Sequence, residues 1–324
     1  MGTFDRTSPP QMIMEEILFR AMGCEIFCGV DSEHPRVRER LARVPAMFEA
    51  WEQTLSRFRA DSELSQLNAR AGQTIRVSDT LWRVLELARR AEEISGGLVV
   101  PTVLDALIAA GYDRSFDNLR EANLPLSRPS TFSETSKVLD GSWQLHPATH
   151  SVTLAPDTHL DLNGVAKGWA VEQTARYLGE LGPALVDGGG DMVMTAPHMN
   201  GEPWHIGIED AFTPEQDNDA LPVLAITHGA TATSGRNFRK WLRDGKPMHH
   251  LIDPRTGLPA ATDVWCATVI APTILQAEVA AKVVLLLGAA KGIEWIDARA
   301  ELAALAILEN GALVTSARME EFIV

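Results

Sequence analysis

The chain has 324 residues, of which 45% are hydrophobic and 22% are charged, a composition typical of a folded globular protein. Its formal net charge of −14 disfavours nucleic acid and anionic membrane surfaces as partners, because both are negatively charged. No apolar stretch approaches the ~18 residues that a membrane-spanning helix needs, and three cysteines are too few for a disulfide framework. The first residues lack the apolar segment of a secretion signal, so we expect a tail over 1–16 and a cytoplasmic location.

The first part of the chain predicts one strand and two helices. Residues 17–30 are mostly apolar and predict an opening strand. Apolar residues then recur at steps of three and four from 37 to 58, which predicts an amphipathic helix that kinks or restarts at Pro45. A second helix is expected to begin at Ser78, a favourable N-cap, and to stop at Gly96-Gly97. Residues 113–141 are polar and predict a surface excursion or linker.

The second part mixes short strands with helices. We expect a hairpin over 142–155, a strand ending at Asp161, a helix over 164–181 and short strands over 184–233. A strand over 265–271 precedes a helix over 273–288, and a further helix and a hairpin at Asn310-Gly311 complete the chain. Because strands and helices do not alternate regularly, the pattern predicts an α+β fold, with one domain over 17–324.

Two turns near the middle of the chain are candidate ligand contacts. Residues 160–168 (LDLNGVAKG) carry Asp161 before a turn and Lys167 at the start of a helix, where backbone N–H groups and an ammonium attract anions. Residues 187–191 (DGGGD) have three glycines, which allow a backbone to approach a ligand closely. A plain turn with a surface lysine, and a flexible loop, are the alternatives that the spacing leaves open.

Two later stretches carry groups for phosphate binding and proton transfer. Residues 231–239 (TATSGRNFR) combine hydroxyls, a glycine and arginines that suit phosphate oxygens, with a solvated loop as the alternative. Residues 248–257 (MHHLIDPRTG) place His250 and Asp253 near one strand end, where an imidazole and a carboxylate can transfer a proton. A purely structural histidine is the other interpretation.

The helix over 273–288 is apolar except for a few positions. Glu278 and Lys282 are one turn apart on one face of it. An exposed ion pair would account for them, but a helix this apolar is expected to be buried nearly all round. We therefore favour a pair that faces a site, because two buried charges need a polar partner or a ligand.

In their order along the chain these stretches resemble the ApbE family of FAD:protein FMN transferases, from about residue 22 to 298. The motifs that carry the resemblance are Met22-Gly23, Ser56-Arg57-Phe58, Gly97 with Pro101-Thr102-Val103, residues 160–168, Val186-Asp187-Gly188-Gly189, Thr233-Ser234-Gly235 and residues 250–257. The resemblance implies mixed sheets flanked by helices, with a flavin nucleotide cleft between sub-lobes. It also implies FAD as substrate, Mg²⁺, transfer of FMN to a Thr or Ser hydroxyl of an acceptor flavoprotein, and release of AMP.

The resemblance also implies roles for individual residues. The positions expected to bind the flavin nucleotide are Met22, Phe58, Gly97, Leu98, Val99, Asp161, Lys167, Ser234, Gly235, Arg239 and Ile252. The backbone carbonyl of Gly164 matches a metal ligand, and His250, with Asp253 nearby, matches the group that assists the acceptor hydroxyl.

This sequence departs from the family pattern on the metal-binding helix, where the usual Asp and Thr are Glu278 and Lys282. An ammonium has no lone pair for Mg²⁺, so Glu278 is a doubtful ligand here. One hypothesis is that Lys282 is catalytic and supplies the positive charge that the metal would supply, with Glu278 orienting it.

The sequence is therefore consistent with three functions. The leading one is transfer of FMN from FAD to a protein hydroxyl. The altered helix, and Val100 where the family has an aspartate, favour an FAD-binding protein without transfer activity as an alternative. An FAD pyrophosphatase, which gives FMN and AMP with water as acceptor, is the third.

Overall fold

A computed structural model describes residues 14–121, 142–208, 212, 221–243 and 245–324. The helices in this part of the chain are α1 (Val37–Leu55), α2 (Glu63–Asn68), α3 (Asp79–Ser95), α4 (Leu104–Ala109), α5 (Phe116–Glu121), α6 (Ala166–Gly179), α7 (Ile274–Leu287) and α8 (Ala289–Asp297). Short 3₁₀ helices lie at Pro147–Thr149 and Ala317–Glu321.

The strands are short and mostly come in antiparallel hairpins. They are β1 (Met14–Ala21), β2 (Cys24–Asp31), β3 (Thr74–Arg76), β4 (Trp143–His146), β5 (Ser151–Leu154), β6 (Ala184–Gly188), β7 (Asp191–Met194), β8 (Trp204–Gly207), β9 (Val223–Ile226), β10 (Gly229–Gly235), β11 (Lys240–Arg243), β12 (Lys246–His249), β13 (Ile252–Asp253), β14 (Leu258–Pro259), β15 (Val264–Ala271), β16 (Ala303–Leu308) and β17 (Leu313–Thr315).

One large sheet organises the molecule. Its eight strands follow the order β1-β2-β6-β7-β10-β15-β16-β17, and each neighbouring pair is antiparallel. A smaller sheet, β3-β5-β4, and the hairpins β8–β9, β11–β12 and β13–β14 lie outside it. The mixture of antiparallel sheets and helices confirms the predicted α+β fold.

The two faces of the large sheet are covered differently. Helices α1, α6, α7 and α8 pack on one face, whereas the β8–β9 hairpin and the C-terminal 3₁₀ helix cover the other. Side chains along β15 alternate accordingly. Ala267 and Val269 face α7, and Cys266 and Ile270 lie in the opposite cluster.

Helix α7 lies between this sheet and a second layer made of α3 and the small sheet. Val279 and Val283 pack in the cluster with Leu81 on α3, whereas Ala280 and Val284 pack against the large sheet. The helix is therefore apolar on opposite sides because it is buried on both. No helix among the described residues has the length and apolar character to span a bilayer.

Several predicted elements have the expected local signals. Ser78 caps α3, since its hydroxyl accepts a hydrogen bond from the Leu81 backbone N–H at 3.2 Å. The same helix stops at Gly96, which has a φ of 62°, a value that favours glycine. The helices predicted over 164–181 and 273–288 are α6 and α7.

The opening of the chain differs from the prediction. The single strand expected over 17–30 is a hairpin, because Met22 and Gly23 take φ values of 51° and 70° and reverse the chain between β1 and β2. Strand β1 begins at Met14, inside the tail expected over 1–16. Helix α1 runs through Pro45 as one element and does not restart there.

The segment before Asp161 is not a strand. The Asn68 side chain occupies both backbone groups of Leu160, with two hydrogen bonds of 2.9 Å, and the Asp161 N–H donates to the Pro101 carbonyl at 2.8 Å. These partners replace a strand ladder. The polar excursion expected over 113–141 contains α5 at its start, and residues 122–141 lie outside the described residues.

Candidate active site

The wall of a central cleft is formed by one turn of α7. Glu278 on this turn is only 1% exposed, and Lys282, one turn later, is partly buried. Both side chains line a cavity of about 180 Å³ between the large sheet and the α3 layer. The cavity thus explains why two charged residues occur on an otherwise apolar helix.

The cavity collects groups from distant parts of the chain. Those predicted from the sequence that line it are Leu98, Val99, Asp161, Gly164, Lys167, Ser234, Gly235, Arg239, His250, Ile252, Glu278 and Lys282. A second cavity of about 270 Å³ is lined by Met22 and Phe58. The two cavities share Tyr112, Asn163, Lys167 and Arg239, so they form one continuous cleft.

Two predicted site residues, Asp253 and Gly97, line neither of these cavities. The Asp253 carboxylate is occupied by Arg255, which donates from its side chain at 2.7 Å and from its backbone N–H at 2.9 Å. It therefore shapes the turn after β13, and the structure does not bring it to His250 as a catalytic partner. Gly97 continues the helix stop begun by Gly96.

Lys167 projects from the first turn of α6. Its ammonium contacts the Asp191 carboxylate and the Gly188 carbonyl oxygen. Burial by itself lowers the pKa of Lys167, but the surrounding acidic groups, with Asp191 foremost, together outweigh this effect and raise the pKa above its ordinary value. Lys167 is therefore a fixed positive charge at the start of a helix, where an anionic ligand is favoured.

Asp161 has a different kind of partner. The Arg57 guanidinium lies 2.5 Å from its carboxylate, and both side chains are 4% exposed. The guanidinium also lies over the rings of Phe58 and Tyr112, at 4.1 and 4.6 Å from their centroids. Asp161 in turn accepts a hydrogen bond from the Asn163 backbone at 2.7 Å. Asp161 lines the first cavity, Phe58 lines the second and Tyr112 lines both, so this stack lies where the two cavities meet.

Glu278 lies against the start of α6. A Cβ added at Gly168 would be 2.4 Å from its Oε2 atom, so glycine makes room for the carboxyl group. Burial raises the pKa of Glu278, and Asp191 raises it further, against the opposing charges of Lys282 and Lys167. Its Oε2 atom has no hydrogen-bond partner among the described residues. Lys282 donates instead to the Glu278 backbone oxygen, at 3.4 Å.

His250 and Arg239 lie at the other side of the cleft. Burial, together with the positive charges of Arg239 and Lys282, lowers the pKa of His250 well below its ordinary value. His250 is therefore a neutral imidazole at pH 7, so a ring nitrogen is able to accept a hydrogen bond from a hydroxyl. Arg239 reaches the Tyr112 hydroxyl, to which it donates a hydrogen bond at 3.5 Å.

Three residues in or beside the cleft have no role that the sequence predicts. Arg57 was recognised only as part of a motif, and its pairing with Asp161 depends on the tertiary structure. Tyr112, one of two tyrosines in the chain, belongs to no motif that we identified. Asp191 follows three glycines, which predict a turn. Its position directly after that turn is the feature of the sequence that indicates a site residue.

The residues around Lys282 do not fit a magnesium ion. Among the described residues there is no group of three or more His, Cys, Asp or Glu side chains that is able to hold a metal. The Glu278 carboxyl favours its protonated form, and the Lys282 side chain passes 3.8 Å from the Cβ position of Gly164. Mg²⁺ requires oxygen ligands in an octahedron, and an ammonium beside the expected carbonyl ligand repels it.

Comparison with known proteins gives a consistent family. The ApbE family matches residues 22–323. The FAD:protein FMN transferase of Treponema pallidum is 34% identical over 272 residues, which are 78% of this chain and 72% of the relative. The FAD:protein FMN transferase of Salmonella typhimurium is 27% identical over 312 residues, which are 94% of this chain and 86% of the relative.

Solved structures share the fold. The ApbE protein of Thermotoga maritima has a TM-score of 0.81 at 22% identity, and the alignment covers 96% of this chain and 99% of that protein. The flavin transferase ApbE of Vibrio cholerae has a TM-score of 0.79 at 21% identity, with 96% and 100% covered. The family match over nearly the whole chain agrees with this shared fold, and the chain is a member of the ApbE family.

Proposed function

We propose that this protein transfers FMN from FAD to a threonine or serine hydroxyl of an acceptor flavoprotein and releases AMP. The observation that carries the proposal is the convergence of Lys167, Arg239, Lys282 and His250 on one cleft. Three cations suit a pyrophosphate, and a neutral imidazole suits a hydroxyl that must lose its proton. Transfer of FMN from FAD to a protein is also the activity for which the relatives are named.

The cleft has walls of two kinds, which suit the two parts of a dinucleotide. One part is apolar and accommodates a ring system, with Leu98, Val99 and Leu107 among its lining residues. The other part carries the cations, beside the glycine turn at Gly189. We infer that FAD binds with its pyrophosphate on the charged side.

The reaction forms one bond to phosphorus and breaks one. The acceptor oxygen attacks the phosphorus of the FMN half, and the bond from that phosphorus to the AMP oxygen breaks. His250 accepts the proton of the hydroxyl, while the electron pair of the broken bond leaves with AMP. Lys167 and Arg239 stabilise the negative charge that develops on the phosphate oxygens.

We further propose that Lys282 supplies the positive charge that Mg²⁺ supplies in an acidic metal site. Its ammonium is held by the Glu278 backbone oxygen and lies on the wall shared with Lys167. The Glu278 carboxyl group points to Gly168 and Asp191, so the contact that holds the ammonium is made by the helix backbone and not by the Glu278 side chain.

One incubation distinguishes the possible activities. The purified protein is mixed with FAD and a candidate acceptor flavoprotein, and intact mass and released AMP are measured. Transfer predicts an acceptor heavier by one FMN and an equal amount of AMP. His250→Gln should reduce transfer by about 10²–10⁴-fold while FAD still binds, whereas the exposed His205→Gln should not. AMP without modified acceptor would indicate a pyrophosphatase, and bound flavin with neither product would indicate a binding protein.

A second incubation tests the role of Lys282. We expect AMP release and FAD affinity, measured by flavin fluorescence, to be the same in EDTA and in Mg²⁺. Lys282→Met should reduce turnover by about 10²–10³-fold because one charge is lost from the phosphate side. The exposed Lys291→Met on α8 is the matched control. A strict requirement of the unaltered protein for Mg²⁺ would contradict the proposal.

A further inference from the structure

The loop that leads into α6 is held in place around Asn163. The Asp161 N–H donates a hydrogen bond to the Pro101 carbonyl at 2.8 Å. Across the loop, the Leu162 carbonyl oxygen accepts a hydrogen bond from the Ala166 N–H, also at 2.8 Å. A side chain carried by this loop therefore has a defined position.

The side-chain amide of Asn163 has a defined orientation as well. Its Nδ2 atom donates to the Asp161 carboxylate at 3.1 Å, and its backbone N–H donates to the same carboxylate at 2.7 Å. The buried Arg57 guanidinium, 2.5 Å away, fixes that carboxylate. A carboxylate accepts hydrogen bonds and does not donate them, so the amide nitrogen faces Asp161 and the amide oxygen, Oδ1, turns away. No described residue donates a hydrogen bond to Oδ1.

Asn163 lies where the two cavities of the cleft meet. It is exposed and lines both cavities. Lys167 and Arg239 also line both, so two cations border the same junction and attract phosphate oxygens. The Oδ1 atom carries a partial negative charge and repels those oxygens. Its partner in a ligand is therefore a hydrogen-bond donor that lies beside the phosphates.

The donors beside the pyrophosphate of FAD are sugar hydroxyls. The pyrophosphate lies between a ribose on the adenine side and a ribityl chain on the flavin side, and both carry hydroxyl groups. The N–H groups of the two ring systems lie at the far ends of the molecule. A hydroxyl donates readily to an amide oxygen, so it satisfies the free acceptor of Asn163.

We propose that Asn163 Oδ1 accepts a hydrogen bond from a sugar hydroxyl of FAD beside the pyrophosphate, and that Asn163 thereby selects dinucleotides that carry this hydroxyl. This inference rests on the proposed function for the identity of the ligand. Arg57 and Asp161 are positioning residues in this arrangement, because they hold the amide in the orientation that leaves Oδ1 free.

A binding experiment with three ligands tests this contact. The ligands are FAD, an FAD analogue without the ribose hydroxyls and an FAD analogue without the ribityl hydroxyls, and flavin fluorescence reports their dissociation constants. FAD should bind Asn163→Ala about three- to tenfold more weakly than the unaltered protein, as expected for the loss of one hydrogen bond. The analogue that lacks the contacted hydroxyl should bind both proteins equally, and it identifies which sugar is contacted.

Asn200→Ala is the matched control for this experiment. Asn200 is exposed, its amide oxygen accepts a hydrogen bond from the Glu202 N–H at 2.9 Å, and it lines neither cavity. This variant should bind all three ligands like the unaltered protein. Equal weakening of all three ligands by Asn163→Ala would indicate a phosphate contact or a disturbed loop and would overturn the proposal. Equal affinity of the unaltered protein for the three ligands would overturn it without any variant.

Transfer is measured separately, by the intact mass of an acceptor flavoprotein. An affinity that depends on Asn163 and on one sugar, without transfer, would refute the proposed function and retain the hydroxyl contact. Transfer by a protein that binds FAD and both analogues equally would do the reverse. A protein that binds no FAD would contradict both proposals.

Discussion

Two carboxyl groups of the cleft have opposite surroundings. The Arg57 guanidinium lies 2.5 Å from the Asp161 carboxylate, and both groups are buried. The guanidinium therefore compensates the negative charge of the carboxylate. Glu278 has another carboxyl group, Asp191, beside it, and the charges of Lys282 and Lys167 do not compensate for its burial. Because like charges and burial both disfavour ionisation, the pKa of Glu278 is raised. Residue type alone does not reveal this difference in surroundings.

This difference predicts a pH-dependent stability. The pKa of Glu278 is raised in the folded state, so the protonated carboxyl group stabilises the fold relative to the ionised one. The free energy of unfolding is therefore highest below the ordinary carboxyl pKa and decreases as the pH rises through the pKa of the folded protein. The loss amounts to at most about 1.4 kcal/mol per pH unit in that window. Glu278→Gln removes the ionisation, so its melting temperature should rise relative to the unaltered protein between pH 5 and pH 9.

The exposed Glu301→Gln is the control for this measurement. The difference in melting temperature between this variant and the unaltered protein should not change with pH. A Glu278→Gln protein whose relative melting temperature falls as pH rises would show that Glu278 is ionised and stabilising in the folded state.

At the scale of elements, the cleft depends on how closely α6 approaches α7. Gly168 on α6 faces Glu278 and Ile274 on α7, where an added Cβ would be 2.4 Å from one oxygen and 3.0 Å from one carbon. Contacts this short do not occur without a shift of the neighbours. Gly168 is the third residue of α6, and a glycine in a helix, which costs up to about 1 kcal/mol relative to alanine, is explained here by the neighbouring helix.

Gly168→Ala tests this contact because two effects of opposite sign compete. Helix propensity alone would stabilise by about 1 kcal/mol, whereas overpacking costs about 1–3 kcal/mol. We expect a net loss of free energy of unfolding in urea, with weaker FAD binding because Glu278 moves. Gly207→Ala on β8, where no atom lies within 4 Å of the added Cβ, should be close to neutral. A more stable Gly168→Ala protein would refute the close approach.

At the scale of the whole molecule, the cleft is built from segments far apart in the sequence. Its walls come from residues 98–103, 161–167, 233–239 and 250–252, together with α7. The large sheet and the α3 layer hold these segments on either side of the cavity. A ligand that fills the cavity therefore contacts several segments at once.

Hydrogen–deuterium exchange tests this arrangement. Addition of FAD should slow amide exchange severalfold in all four wall segments together, because each borders the same cavity. The β8–β9 hairpin covers the opposite face of the large sheet and should exchange at an unchanged rate. Protection confined to one wall segment would contradict a single nucleotide cleft.

The local elements and the family follow from the linear order of residues. Ser78 and Gly96 limit α3 through hydrogen bonds and backbone angles within a few residues, so their effect is visible in a linear pattern. The apolar character of α7 likewise predicted a helix buried on all sides, with Glu278 as an exception to be explained. The order of the motifs indicated the ApbE family before any contact was known.

The pairing of charges in the cleft depends on packing between distant parts of the chain. The Arg57–Asp161 pair, the carboxyl contact of Glu278 with Asp191 and the Tyr112 hydroxyl near Arg239 join residues from different elements. The tertiary structure also decided that Asp253 serves Arg255. Hydrophobic periodicity and capping act over a few residues, whereas charge, burial and protonation depend on neighbours that packing brings together across the chain.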